Sequence, residues 1–215
     1  QVEEMMSVAM GGMDSYDFHA IEVIQSMAER RAGGETGIAA VQGLKGDAVW
    51  QAMDAGSWSK GGWDPALFEA CLARTQTLAQ PETYSHRYPT PEQMREWVEE
   101  PVAYRIEYVD GTKATMLLMN GLVGDFTFAA RIKGQASPLS TLFYLPPVPN
   151  VMYSAELMAK AEATFMTGKS PGPIERTLLT TGLVEACVQS ANTEQARTET
   201  PHLDVAYQVT SESLF

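Results

Sequence analysis

The stretch VAYRIEYVDGTKATMLLM, residues 102–119, constrains the fold more than any other. Two runs of aliphatic, aromatic and β-branched residues flank Asp110-Gly111, a dipeptide suited to the positive φ angles of a tight hairpin turn. A chain built around such a hairpin contains a sheet, and its neighbours extend it. DFTFAARI (125–132) and STLFYL (140–145) read as two more strands joined by short turns, so this half is mainly antiparallel. Gly121 and Gly124, between strands, mark a bulge or a close backbone approach.

The opening of the chain has a different rhythm. Residues 2–10 read as a strand, and Gly11-Gly12 break it before a helix from about Asp17 to Arg31, with Phe18, Ile21, Ile24 and Ala28 at helical spacing. Gly33-Gly34 end that helix, and TGIAAVQGL (36–44) is a second strand. This β-α-β order predicts parallel strands with the helix crossing one sheet face. DAVWQAMDAG (47–56) reads as a short helix, and Asp64-Pro65 open another. The span from about Gln76 to Pro101, with four prolines, reads as an excursion. SAELMAKAEATFMTGK (154–169) is helical in propensity, and PIERTLLTTGLVEACVQSAN (173–192) is a longer helix with an apolar stripe of Leu178, Leu179, Leu183, Ala186 and Cys187. LDVAYQ (203–208) is a last strand closing the sheet edge. The expected fold is α+β (α/β): a mixed, largely antiparallel open sheet of six or seven strands, helices packed on one face, in one domain over residues 1–215. The other face is left for solvent, a partner subunit or another domain.

Composition excludes some functions. A net charge of −12 and a pI near 4.6, with Arg30-Arg31 the one basic cluster, oppose binding to nucleic acid or an anionic membrane surface. No apolar run reaches the ~18 residues of a membrane span, and no signal peptide is visible, so the expected location is cytoplasmic. Cys71 and Cys187 read as two buried thiols rather than a disulfide. The start at Gln1, directly in a strand, suggests a piece of a longer polypeptide.

The chemistry-bearing stretch is DSYDFHAIEVIQ (14–25). Asp14 or Ser15 can cap the helix, and Asp17 suits the positive end of its dipole. His19 and Glu22, three apart, share one side of the first turns. An imidazole there is either a structural side chain or a proton donor and acceptor at a substrate hydroxyl.

The order strand, Gly-Gly, acid-flanked His with an acid three later, helix, strand resembles the C-terminal domain of the glucose-fructose oxidoreductase/inositol dehydrogenase family, in which a D-x-x-x-H-x-x-D segment starts a helix. GKSPGPIERTLLTTGLVEACVQSAN is similar to that family's late helix. The resemblance implies a substrate-binding and oligomerisation domain of an NAD(P)-dependent oxidoreductase acting on a sugar, polyol or related hydroxy compound. It implies a catalytic group of His19, Asp14 and Asp17, with His19 transferring the proton and Asp14, Asp17 and Glu22 orienting it or binding hydroxyls, and with Glu22 and Ser15 at the substrate. The open sheet face would pair with a second subunit. The sequence departs from the pattern four residues before His19, where Ser15 replaces the family's Asp. No G-x-G-x-x-G turn occurs either, so NAD or NADP would belong to a parent protein and not to this chain alone.

Other readings are a non-catalytic dimerisation or binding module, and a metal-dependent hydrolase or lyase using His19, His86 and His202. The histidines show no local ligand spacing, so no metal is assigned. In WSKGGW, Trp58 and Trp63 flank a flexible turn. They either stack on a sugar ring or anchor the loop to the core.

Overall fold

The structure, a computed structural model, describes residues 1–81, 88–145 and 151–209. Its strands are β1 (Val2–Ala9), β2 (Ile38–Lys45), β3 (Val102–Tyr108), β4 (Lys113–Leu118), β5 (Phe126–Ile132), β6 (Leu139–Phe143) and β7 (Thr198–Glu199). They form one seven-stranded sheet in the order β6-β5-β1-β4-β3-β2-β7. β1 runs parallel to β4, and the other pairings are antiparallel. The sheet is therefore mixed and largely antiparallel, as the sequence predicts. β2 runs in the same direction as β1, but β4 and β3 lie between them, so the opening β-α-β spans two intervening strands.

Helix α1 (Asp17–Ala28) and helix α6 (Ile174–Asn192) lie on one face. Ile21, Ile24, Leu179, Leu183 and Cys187 pack there against Met5, Tyr104, Ile106, Met116 and Phe128, the inward set of each strand's alternation. Gly43 lets α6 settle on β2, because a Cβ there would stand 2.2 Å from the Cys187 carbonyl oxygen. The helices do not all share that face. Helices α2 (Asp47–Ala55), α3 (Pro65–Leu72) and α4 (Pro91–Trp97) bring Val49, Trp50, Leu67, Phe68 and Met94 into a second core over Met6, Val8, Ala103, Leu117 and Ala129. The even positions of β1 are as apolar as the odd ones here, so this half of the second face needed cover too. Cys71 and Cys187 lie in opposite cores and are free.

Three other expectations change. The span 76–101 holds α4, started by a capping box in which Thr90 and Gln93 exchange side-chain and backbone hydrogen bonds. The 203–208 strand reduces to one bridge between Glu35 and Tyr207, and Thr198–Glu199 forms the edge strand instead. Leu178 is 59% exposed and outside the α6 stripe. The β3–β4 turn takes four residues: Gly111 alone adopts positive φ (+87°), while Asp110 accepts from the Thr112 N–H. Among the residues of helix α5 (Met152–Thr167) whose burial is described, none is buried. Among the described residues no helix is long and apolar enough to cross a membrane.

The uncovered part of the second face is charged. Arg197 donates to both Glu107 oxygens (2.8 and 3.0 Å), and Lys113 Nζ stands 3.4 Å away. Arg197, ahead of Lys113, holds the Glu107 carboxyl down at about 2. A carboxyl lowered on folding stabilises the fold above its unfolded value and loses that contribution as pH falls from 4.5 toward about 2. Arg197→Ala should flatten the stability profile in that window, read from urea midpoints at successive pH values.

Candidate functional site

β1 and β4 are the sheet's parallel pair, and the crevice beyond the carboxyl ends of parallel strands is where open α/β sheets place ligands. The two ends are tied together: Gly11 N–H donates to Asn120 Oδ1, and Asn120 Nδ2 donates to the Gly11 carbonyl, both at 2.6 Å. Gly11 adopts φ +108° and lies so close to Tyr16 that no side chain would fit. From it the chain turns through Asp14, itself at φ +58°, into α1.

His19 is exposed on the first turn of α1. Its ring makes edge contacts with Tyr16 (5.6 Å), Phe18 (5.7 Å) and Phe126 (6.3 Å), and among the described residues it has no hydrogen-bond or ion-pair partner. Among the described residues nothing engages either ring nitrogen, and aromatic edges and an exposed tyrosine stand beside the ring. Asp14 and Ser15 are also exposed on the approach turn, with Ser15 Oγ donating to the Gly12 carbonyl (3.0 Å).

Asp17 is placed otherwise. It is fully buried, and its carboxylate accepts from the Asp14 N–H (2.9 Å), the Phe18 N–H (2.9 Å) and the Tyr104 hydroxyl (2.7 Å). The sequence assigns Asp17 a catalytic role. The structure makes it the pin that holds the turn, since a substrate cannot reach it. Burial, and then the hydrogen bond to Asp17, push the Tyr104 hydroxyl well up, so it stays a donor. Tyr104→Phe should cost about 1–3 kcal/mol by leaving a buried carboxylate one donor short; thermal unfolding measures it.

Glu22 turns away from His19. It is ion-paired with Arg176 of α6, which also holds Glu29 at 2.9 Å, so Glu22 belongs to a structural network and not to the substrate. Trp63 is 1% exposed in the second core and has no free face for a sugar. Trp58 is partly exposed but on the opposite sheet face from His19, its ring covering the Arg105 guanidinium at 4.2 Å. The three histidines do not assemble. His202 is exposed in the 3-10 turn Pro201–Leu203, beside the start of β2 and so at the other end of the sheet from His19, and His86 lies outside the described residues. Among the described residues no group of three His, Cys, Asp or Glu is arranged for a metal. The candidate site thus brings together His19, Asp14 and Ser15 from the expected set. Tyr16, Phe18 and Phe126 join it; their adjacency to His19 was readable for the first two, but Phe126 arrives through β5.

Phe18 and Asp14 also line a groove of about 580 Å³ that runs along α6 past Glu185 and Gln189 to Asn192 and Thr193.

No family profile matches the chain, and neither does any curated protein. Among solved structures it is similar to the myo-inositol 2-dehydrogenase of Lactobacillus plantarum, at 9% identity and a TM-score of 0.44, over 93% of this chain and 57% of that one. The chain spans little more than half of that dehydrogenase's length.

Proposed function

We propose that this chain is the substrate-binding and oligomerisation domain of an NAD(P)-dependent oxidoreductase acting on a sugar, polyol or similar hydroxy compound. The observation that carries the reading is His19: an unpaired, exposed imidazole just beyond the ends of the only parallel strand pair among the described residues. Such a group can take the proton from a hydroxyl as its carbon loses hydride, with Asp14 and Ser15 holding neighbouring hydroxyls. NAD or NADP would be supplied by another part of the parent protein, and would accept the hydride. The domain would pair with a second copy through the charged half of the second sheet face, around Trp58 and Lys113, in the cytoplasm, where two buried thiols stay reduced.

Titration with myo-inositol, glucose and sorbitol, followed on the His19 imidazole signals by NMR, tests the site. Perturbation by at least one polyol is expected. No change with any of them at high millimolar concentration would overturn the reading.

One observation favours a second reading, a binding module without catalysis: the acid closest before His19, Asp17, is locked onto Tyr104. In that case hydroxy compounds bind without turnover in the full parent protein.

A further inference from the structure

We infer that the groove between the start of α1 and the second half of α6 is a subsite for a neutral oligosaccharide chain, so that a glycan of two or three units binds better than a free monosaccharide. The inference rests on the reading of His19 as the reacting end of a hydroxy-compound site.

The groove begins where that site ends. Phe18 separates the two: its ring stands edge-on to His19 on one side and lines the groove on the other, and it is 38% exposed. A half-exposed aromatic ring gives the apolar C–H face of a pyranose something to stack on. Beyond it the groove offers side chains that suit ring hydroxyls. Among the described residues the carboxylates of Asp14 and Glu185 and the amide of Gln189 have no hydrogen-bond or ion-pair partner, and all three line the groove. They are free to pair with a ligand instead. Asn192 at the far end is already engaged, its Oδ1 accepting from Lys45 Nζ (2.8 Å) and its Nδ2 donating to the Val188 carbonyl (2.9 Å), so it bounds the groove.

Size and charge narrow the ligand. The groove, open to solvent, has a volume of about 580 Å³, within the ~300–1,000 Å³ of small-molecule sites. Carboxylates accept strongly from hydroxyls but repel phosphate and uronate groups, so a neutral glycan fits and an acidic one does not.

The test is a comparison of glucose, cellobiose, cellotriose, maltose and maltotriose, titrated into the 15N-labelled protein. One of the two series should tighten by at least about tenfold from one unit to three, about 1.4 kcal/mol. Phe18 and Gln189 signals should move with the longer ligands. Gln189→Ala should abolish the gain with length while leaving the response of His19 to glucose. Gln189 lies on the outer surface of α6, so its variant keeps the fold. If glucose perturbs His19 but length adds nothing in either series, the groove is not a subsite and the reading of His19 stands. If none of the five perturbs His19 or Phe18, both fail.

Discussion

Arg176→Ala is expected to lower the stability of the protein by about 1.5–3 kcal/mol, a sizeable share of the ~5–15 kcal/mol that holds a domain together. Arg176 bridges Glu22 and Glu29 from α6 to α1, and Glu29 is 3% exposed. Glu29 also accepts from the Tyr207 hydroxyl at 2.9 Å, and Gln25 donates to Tyr207 (2.8 Å) and to the buried Glu35 (2.6 Å). Removing the guanidinium would leave the buried Glu29 with Arg30 (2.7 Å), itself 40% exposed, as its remaining charged partner, and Glu22 without the ion pair to Arg176. The two carboxylates in turn hold Arg176 firmly protonated. Urea unfolding should show the midpoint falling with little change in slope. The paired variant Arg176→Met with Glu29→Gln should recover a good part of the loss, since it removes the under-paired buried charge as well as the bridge. A loss below 1 kcal/mol for the single variant would mean that Arg30 alone holds Glu29 and that the α1–α6 bridge contributes little.

The network shows what the sequence could not display. Glu29, Glu35 and Arg176 carry no signal of their own in the sequence, and Arg31 reads there only as half of a small basic cluster. Only the docking of α6 and the 207 segment against α1 buries them together. Glu22 was thereby drawn from the substrate side to the structural side. Asp17 moved for a related reason. Helix-start position predicted a dipole-facing carboxylate, but its partner Tyr104 is 87 residues away in β3, and the alternation of that strand does not announce which helix its tyrosine meets.

Where the signals were local, the sequence was enough. The 102–119 hairpin, the helix opened by Asp64-Pro65 and the break at Gly11-Gly12 all formed within a residue or two of their expected places. Asp64 accepts from the Ala66 N–H as a helix cap should. The placement of helices on both faces was harder to read, because it depends on which strands become neighbours. Val8, Ala103, Leu117 and Ala129 align into an apolar patch only once β1 inserts between β4 and β5. The two tryptophans of WSKGGW diverge on the same ground: Trp63 fell over that patch and is core, and Trp58 fell over the charged strip and lies on Arg105.

His19 carries the functional account, and its substitution has the largest expected effect on activity. An imidazole that moves a proton in the rate-limiting step contributes ~10²–10⁴-fold. Because His19 is exposed and makes only ring-edge contacts, its loss should leave the fold unchanged. The decisive measurement is therefore NAD(P)-dependent oxidation of polyols and sugars by the full parent polypeptide, wild type against His19→Ala, with unfolding curves run alongside. The account predicts that kcat falls by at least about a hundredfold while the unfolding midpoint stays within error. Full turnover by His19→Ala would contradict it.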